Sequence, residues 1–135
     1  MNTCEVTRTK DTAARLTTIT VAGRVQASDV IQILDDFYKG EVTVNVLWDL
    51  SRADVSELST DELRAVLFHA KTYAHLRPGG RTAIVTSRPV DFGVSRMYKT
   101  FTEIDTHPIP HHVFHDLQEA KSWIEMHNEP ENRES

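Results

Sequence analysis

Four histidines, His107, His111, His112 and His115, lie close enough in the chain to suggest a metal site. Zinc asks for three or four converging ligands with carboxylate or carbonyl support behind them. In a strand, however, His111 and His115 share one face while His112 points to the other. The expectation is therefore an edge strand with histidines on its polar side and no metal. Nucleophilic catalysis has even less to draw on. The chain has one cysteine, Cys4, at its very start, and no Gly-x-Ser-x-Gly elbow. It lacks a Gly-x-x-x-x-Gly-Lys phosphate loop and a Gly-x-Gly-x-x-Gly fingerprint. Asp49 and Asp54 could act as an acid and base pair, but with no histidine beside them in sequence, turn and cap roles are the expectation. No enzyme, catalytic residue or cofactor is expected.

The better candidate is a binding site. Thr86-Ser-Arg-Pro-Val-Asp-Phe-Gly93 combines hydroxyls at a strand's carboxyl end with a helix amino terminus. Arg88 and Arg96 lie nearby, a combination suited to an anionic headgroup or an acidic protein surface. Phe92 belongs to the same segment, and Val90, Met97, Tyr98 and Phe101 give the helix an apolar stripe that fills the core or lines a slot. Asp49 and Ser51 close the preceding strand, where open α/β sheets present groups to a ligand crevice. The candidate ligand-binding set is thus Asp49, Ser51, Thr86, Ser87, Arg88, Phe92 and Arg96. Ser56 and Ser59 are candidate phosphorylation sites. Ser59 also reads as a plain helix cap, because Ser59-Thr-Asp-Glu62 is a capping box.

These residues need a scaffold, and the stretch Val42-Thr-Val-Asn-Val-Leu-Trp-Asp-Leu50 points to its centre. It is too apolar for a one-sided strand and should be covered on both faces. Before it, Glu5–Lys10 and Leu16–Val25 read as a hairpin, with Gly23 at a bulge or strand end. A helix from Ala27 or Ser28 to Gly40 buries Val30, Ile31, Leu34, Phe37 and Tyr38. After the central strand comes a long helix from Ser59 that buries Leu63, Val66, Leu67, Ala70, Tyr73 and Ala74 and ends at Pro78-Gly79-Gly80. Arg81–Ser87 is a short buried strand, Pro89 opens a third helix, and Pro108 and Pro110 break it. His112–His115 is the last strand, and Asp116 with Glu119 caps a closing helix. The order β-β-α-β-α-β-α-β-α predicts an α/β fold: a mixed, mostly parallel five-stranded sheet with an antiparallel edge strand and four covering helices.

The 135 residues suffice for one domain, assigned to residues 1–127, with residues 128–135 as a frayed acidic tail. A lone cysteine closes no intramolecular disulfide, so the cytoplasm is the expected compartment. Charged residues near the start exclude a signal peptide or membrane span there. Charge is unevenly spread. Residues 64–99 carry 7 Lys/Arg against 1 Asp/Glu, a net +6, within a chain of net charge −5. The overall sign disfavours nucleic acid, while the cationic block would suit an acidic partner or an anionic lipid surface.

Ile19-Thr-Val-Ala-Gly-Arg-Val25, Asn45-Val-Leu-Trp-Asp-Leu50, Gly80-Arg-Thr-Ala-Ile-Val85 and Arg96-Met97 together resemble the SpoIIAA-like (STAS/Sec14-related) family of small bacterial domains. The resemblance covers nearly the whole chain apart from the tail. It implies a mixed sheet with packed helices, kinship with anti-sigma-factor antagonists and lipid-carrying Sec14 domains, and no general enzymatic activity. In the antagonist branch a phosphorylated serine follows a pattern like Asp49-Leu50-Ser51, but Glu57 and Leu58 occupy the positions of the Asp-Ser pair here. The expected function is a noncatalytic cytoplasmic regulatory module that contacts another protein or its own copy, without the phosphoserine in register. The alternative is a peripheral protein that binds lipid or another anionic ligand through the cationic third helix.

Overall fold

A computed structural model describes residues 4–128; the expected acidic tail lies outside the described residues, apart from its first residue. Five strands form one sheet in the order β1-β2-β3-β4-β5. They are β1 (Cys4–Asp11), β2 (Leu16–Arg24), β3 (Asn45–Asp54), β4 (Thr82–Val85) and β5 (His111–Phe114). β1 pairs antiparallel with β2, and every later pairing is parallel. The α-helices are α1 (Ala27–Lys39), α2 (Thr60–Lys71), α3 (Pro89–Ile104) and α4 (Leu117–Asn128). The predicted mixed sheet with four helices is the observed architecture.

β3 is central and covered on both faces, as its composition requires. Val46 and Trp48 pack with Ile19, Val21, Ile33 and Phe37 beneath α1. Leu47 faces the other way, into a cluster with Leu16, Ala83, Val85, Ala120 and Ile124 beneath α4. Fully buried Asn45 sets where β3 starts: its side chain donates to Ala14 O at 3.2 Å and accepts from Arg81 N at 3.0 Å. Further along, the pairing of β2 with β3 slips between Thr20 and Ala22, a bulge next to Gly23, whose φ is +98°.

Several boundaries differ from the expectation. α2 stops at Lys71 and a 3-10 turn, Ala74–Leu76, follows, so the predicted long helix is two pieces. Thr72 donates its hydroxyl to His69 O, closing the α-helix before the Pro78-Gly79 stop is reached. The buried face of α3 is built from Asp91, Val94, Ser95, Tyr98, Phe101 and Thr102. Val90 and Met97, assigned to that stripe from spacing, are exposed, and so is Ile104. Cys4 is not at a loose chain start; it opens β1 and is buried in the core with Ile19 and Val21. The last strand begins one residue early, at His111, whose side chain lies on the face of buried Val113 and packs against Tyr98 and His107. The expected polar histidine face is therefore not formed by His111.

Candidate functional site

β4 ends at Val85, opposite Asp49, while β3 runs on to Asp54, so Asp49 and Ser51 lie within β3 rather than closing it as expected. Side-chain hydrogen bonds tie this part of β3 to the segment after β4. Asp49 accepts from the amide and the hydroxyl of Ser51, at 3.1 and 2.7 Å. Ser87 donates its hydroxyl to Ser51 O at 2.5 Å. Thr86, just before it, is fully buried, and its hydroxyl has no hydrogen-bond partner among the described residues.

Arg88 is the N-cap residue of α3, and Pro89 opens the helix with its φ already set for helical backbone. The Arg88 guanidinium folds back onto Asp91, with Nε to Oδ2 at 2.6 Å and Nη2 to Oδ1 at 3.2 Å, and onto Asp54 at 2.9 Å. Asp54 also accepts from the Ser56 amide and hydroxyl. The Ser56 bonds, supported by Arg88, hold its carboxyl down at about 2. The Ser59 capping box is formed: Ser59 Oγ accepts from Glu62 N at 3.1 Å, and Glu62 Oε1 accepts from Ser59 N at 2.9 Å.

Phe92 stacks on His115 with ring centroids 3.9 Å apart, and Arg96 lies over the Phe92 ring at 6.0 Å. The sequence-predicted residues thus form three small groups: Asp49 with Ser51 and Ser87, Arg88 with Asp54 and Asp91, and Phe92 with Arg96 and His115. The Arg88 charge is already neutralised by two carboxylates. It serves as a strut between loop and helix.

A surface that sequence spacing missed lies across α2 and α3. Thr60 Oγ1 is 3.8 Å from Met97 Sδ, Arg64 sits over the Phe101 ring at 4.4 Å, and Lys71 Nζ donates to Asp105 O at 3.1 Å. The helices therefore run past one another in step, and Phe68 and Ile104 fall between the last two of these contacts. Phe68 is 75% exposed and Ile104 66%. The available signal was Phe68 itself, a large aromatic on the side of α2 away from Leu63, Val66, Leu67 and Ala70. None of the helices among the described residues is long and apolar enough to cross a membrane.

No protein-family model and no curated protein matches the chain. Solved structures do resemble it. An anti-sigma factor antagonist from Mycobacterium paratuberculosis is 13% identical over 90% of this chain and 93% of its own, with a TM-score of 0.53. An anti-sigma-factor antagonist (STAS) domain protein from Planctomyces limnophilus is 20% identical over 88% and 97%, with a TM-score of 0.49. An antisigma-factor antagonist STAS domain from Rhodobacter sphaeroides is 20% identical over 61% and 85%, with a TM-score of 0.42. At the identity of the first, the likeness carries the fold alone. The chain has the SpoIIAA-like STAS α/β fold that its sequence motifs resemble.

Proposed function

We propose that this protein is a noncatalytic regulatory module that binds a partner protein through the outer face of α2 and α3. The observation that carries the reading is Phe68, an aromatic side chain three-quarters exposed beside Arg64 and Ile104. An exposed aromatic next to an arginine, on a rim of mixed polarity, is the composition of an interaction hot spot. Arg64 and Arg96 make no ion pair among the described residues, so the face favours an acidic partner. The solved protein of the same fold is named for antagonising an anti-sigma factor, which also supports action through another protein.

Ser56 and Ser59 border this face, since Thr60 touches Met97. Phosphate on Ser59 would bring negative charge to the amino terminus of α2 and displace the cap that Glu62 N now uses. The rim of Asp49, Ser51, Ser87 and Arg88 holds the loop before α2 in place for such contacts. Phe92 and Arg96 complete the proposed binding edge, while Thr86 is buried beneath it. Peripheral attachment to an anionic surface draws on less, because Arg88 is bound to Asp54 and Asp91 and Lys99 to Glu103.

The test is in-cell photo-cross-linking from position 68, compared with position 126 on the exposed side of α4. The expected result is a discrete adduct from position 68 that disappears in Arg64→Glu. A doubled chain mass would identify the partner as a second copy, and any other mass a different protein. No adduct, or the same adducts from both positions, would overturn the reading.

A further inference from the structure

Between the sheet and helices α1, α2 and α3 lies a partly open cavity of ≈ 100 Å³. Most of its wall is apolar, including Leu34, Trp48, Val66 and Ile84. Polar groups converge at one end, by the amino ends of β4 and β5: Arg77, Tyr38, Ser95, Tyr98, His107 and His111. Arg77 is only 5% exposed. Its Nε donates to Val44 O at 2.8 Å, its Nη2 to Arg81 O at 2.7 Å and Thr82 Oγ1 at 2.9 Å, and its Nη1 reaches Tyr38 Oη at 3.4 Å. All four acceptors are neutral, and Arg77 has no carboxylate partner among the described residues. A guanidinium has five N–H groups, so one on Nη1 is left over.

A buried cation compensated only by neutral groups leaves a positive potential in the space beside it. The neighbouring groups register it. Burial first, with Arg77 contributing, pushes His107 down to about 4 and His111 down to about 3, so both rings are neutral at pH 7. His107 Nδ1 accepts from Ile109 N at 3.1 Å, which leaves the proton on its Nε2. Ser95 is 5% exposed, lines the cavity, and its hydroxyl has no hydrogen-bond partner among the described residues. The same holds for the hydroxyl of Tyr98, one turn further along α3 and held against His111 with ring centroids 5.8 Å apart. Donors without a partner among the described residues thus line an apolar space beside a buried cation that has only neutral acceptors.

We propose that this cavity binds a short monocarboxylic acid, its carboxylate received by Arg77 and Tyr98 and its alkyl chain lying against Leu34, Trp48, Val66 and Ile84. Size supports a small ligand: an apolar cavity of about 150 Å³ accepts the six carbons of benzene, so this one suits about four or five non-hydrogen atoms in all, an acid of two or three carbons. Charge selects the acid over its neutral analogues, because only an anion compensates Arg77. The site is distinct from the α2–α3 face and does not depend on the partner-binding reading.

The test is NMR titration of the purified full chain with propionate and, separately, with propionamide at pH 7. The expected result is saturable shifts at Ser95, Tyr98, His111 and the Trp48 indole with propionate, and binding of the amide at least about tenfold weaker. Arg77 also holds the Val44 and Arg81 carbonyls, so its replacement would confound folding with binding. Tyr98→Phe, which keeps the ring, should weaken propionate about tenfold by removing a hydrogen bond to a charged group. Ala70→Leu, which fills the cavity from α2, should abolish binding in a protein that still gives a folded spectrum. Non-saturating shifts, equal binding of acid and amide, or unchanged affinity in either variant would overturn the proposal.

Discussion

Asp91 accepts a hydrogen bond from the amide of Val55 at 2.9 Å, across 36 residues of chain. The carboxylate is 1% exposed and sits in the first turn of α3, while Val55 follows the last residue of β3. One buried side chain therefore fixes the loop that leads into α2 against the helix that packs beside α2. Arg88 closes the arrangement by binding Asp91 and Asp54 together. The outer faces of α2 and α3 take their relative position from this joint as well as from their own contacts.

Asp91→Ala should destabilise the fold by about 2–3 kcal/mol, since the Val55 N–H would be left buried without an acceptor. Asp91→Asn keeps an oxygen for Val55 and should cost less. Urea unfolding monitored by circular dichroism separates the two, and equal midpoints for Asp91→Ala and the parent chain would contradict this account.

Gly80 should tolerate no side chain. A Cβ there would lie 1.8 Å from Val44 O, a backbone atom that cannot swing aside. Gly80→Ala should therefore force the turn before β4 away from the start of β3, at a cost on the order of 3 kcal/mol. The readout is a lower melting temperature, with amide exchange accelerated first around residues 44–46 and 80–82.

What the sequence made legible was the part governed by local rules. The apolar run of β3 demanded cover on both faces and has it, and Ser59 with Glu62 specified a helix start that is formed. The rest depended on long-range placement. A cation before Pro78 reads as a solvated helix end, yet Arg77 is drawn inward by carbonyls of Val44 and Arg81, which only the folded sheet brings together. Arg88 reads as a free anion receptor until Asp54 is folded against it. The inward turn of His111 follows from the alternation of β5, which puts it on the same face as buried Val113.

The two inward histidines make stability pH-dependent. Their folded pKa values, about 4 for His107 and about 3 for His111, lie below the ordinary 6.5 of the unfolded chain. Between these limits the unfolded chain binds the extra protons, so stability is highest above about pH 7 and falls as pH drops through 6.5 toward 4. The limiting slope is about 1.4 kcal/mol per pH unit for each histidine. His111→Gln should flatten this dependence by about half in urea titrations between pH 7 and 4.5. An unchanged slope would place the titrating groups elsewhere.

Ser59→Ala should lower stability by about 1 kcal/mol, the usual value of an N-cap side chain, and Ser59→Asp should restore it because a carboxylate oxygen caps equally well. Thermal unfolding of the three proteins at pH 7 decides this. If Ser59→Asp keeps the cap but changes cross-linking at position 68, charge at this helix start reaches the binding face without unfolding it.

The last prediction separates binding from folding on the α2–α3 face. Phe68 is mostly in water, so Phe68→Ser removes little buried area and should shift stability by no more than about 0.5 kcal/mol. Truncating a hot-spot aromatic, in contrast, typically costs a complex about 2 kcal/mol or more, roughly thirtyfold in Kd. Phe68→Ser should therefore lose the partner while its unfolding curve overlays that of the parent chain. Leu67→Ser, one residue earlier and 1% exposed in the core with Leu63 and Phe101, should do the reverse and lower stability first. If Phe68→Ser instead unfolded the protein and left partner binding per folded molecule intact, the aromatic would belong to the scaffold and the interface would lie elsewhere.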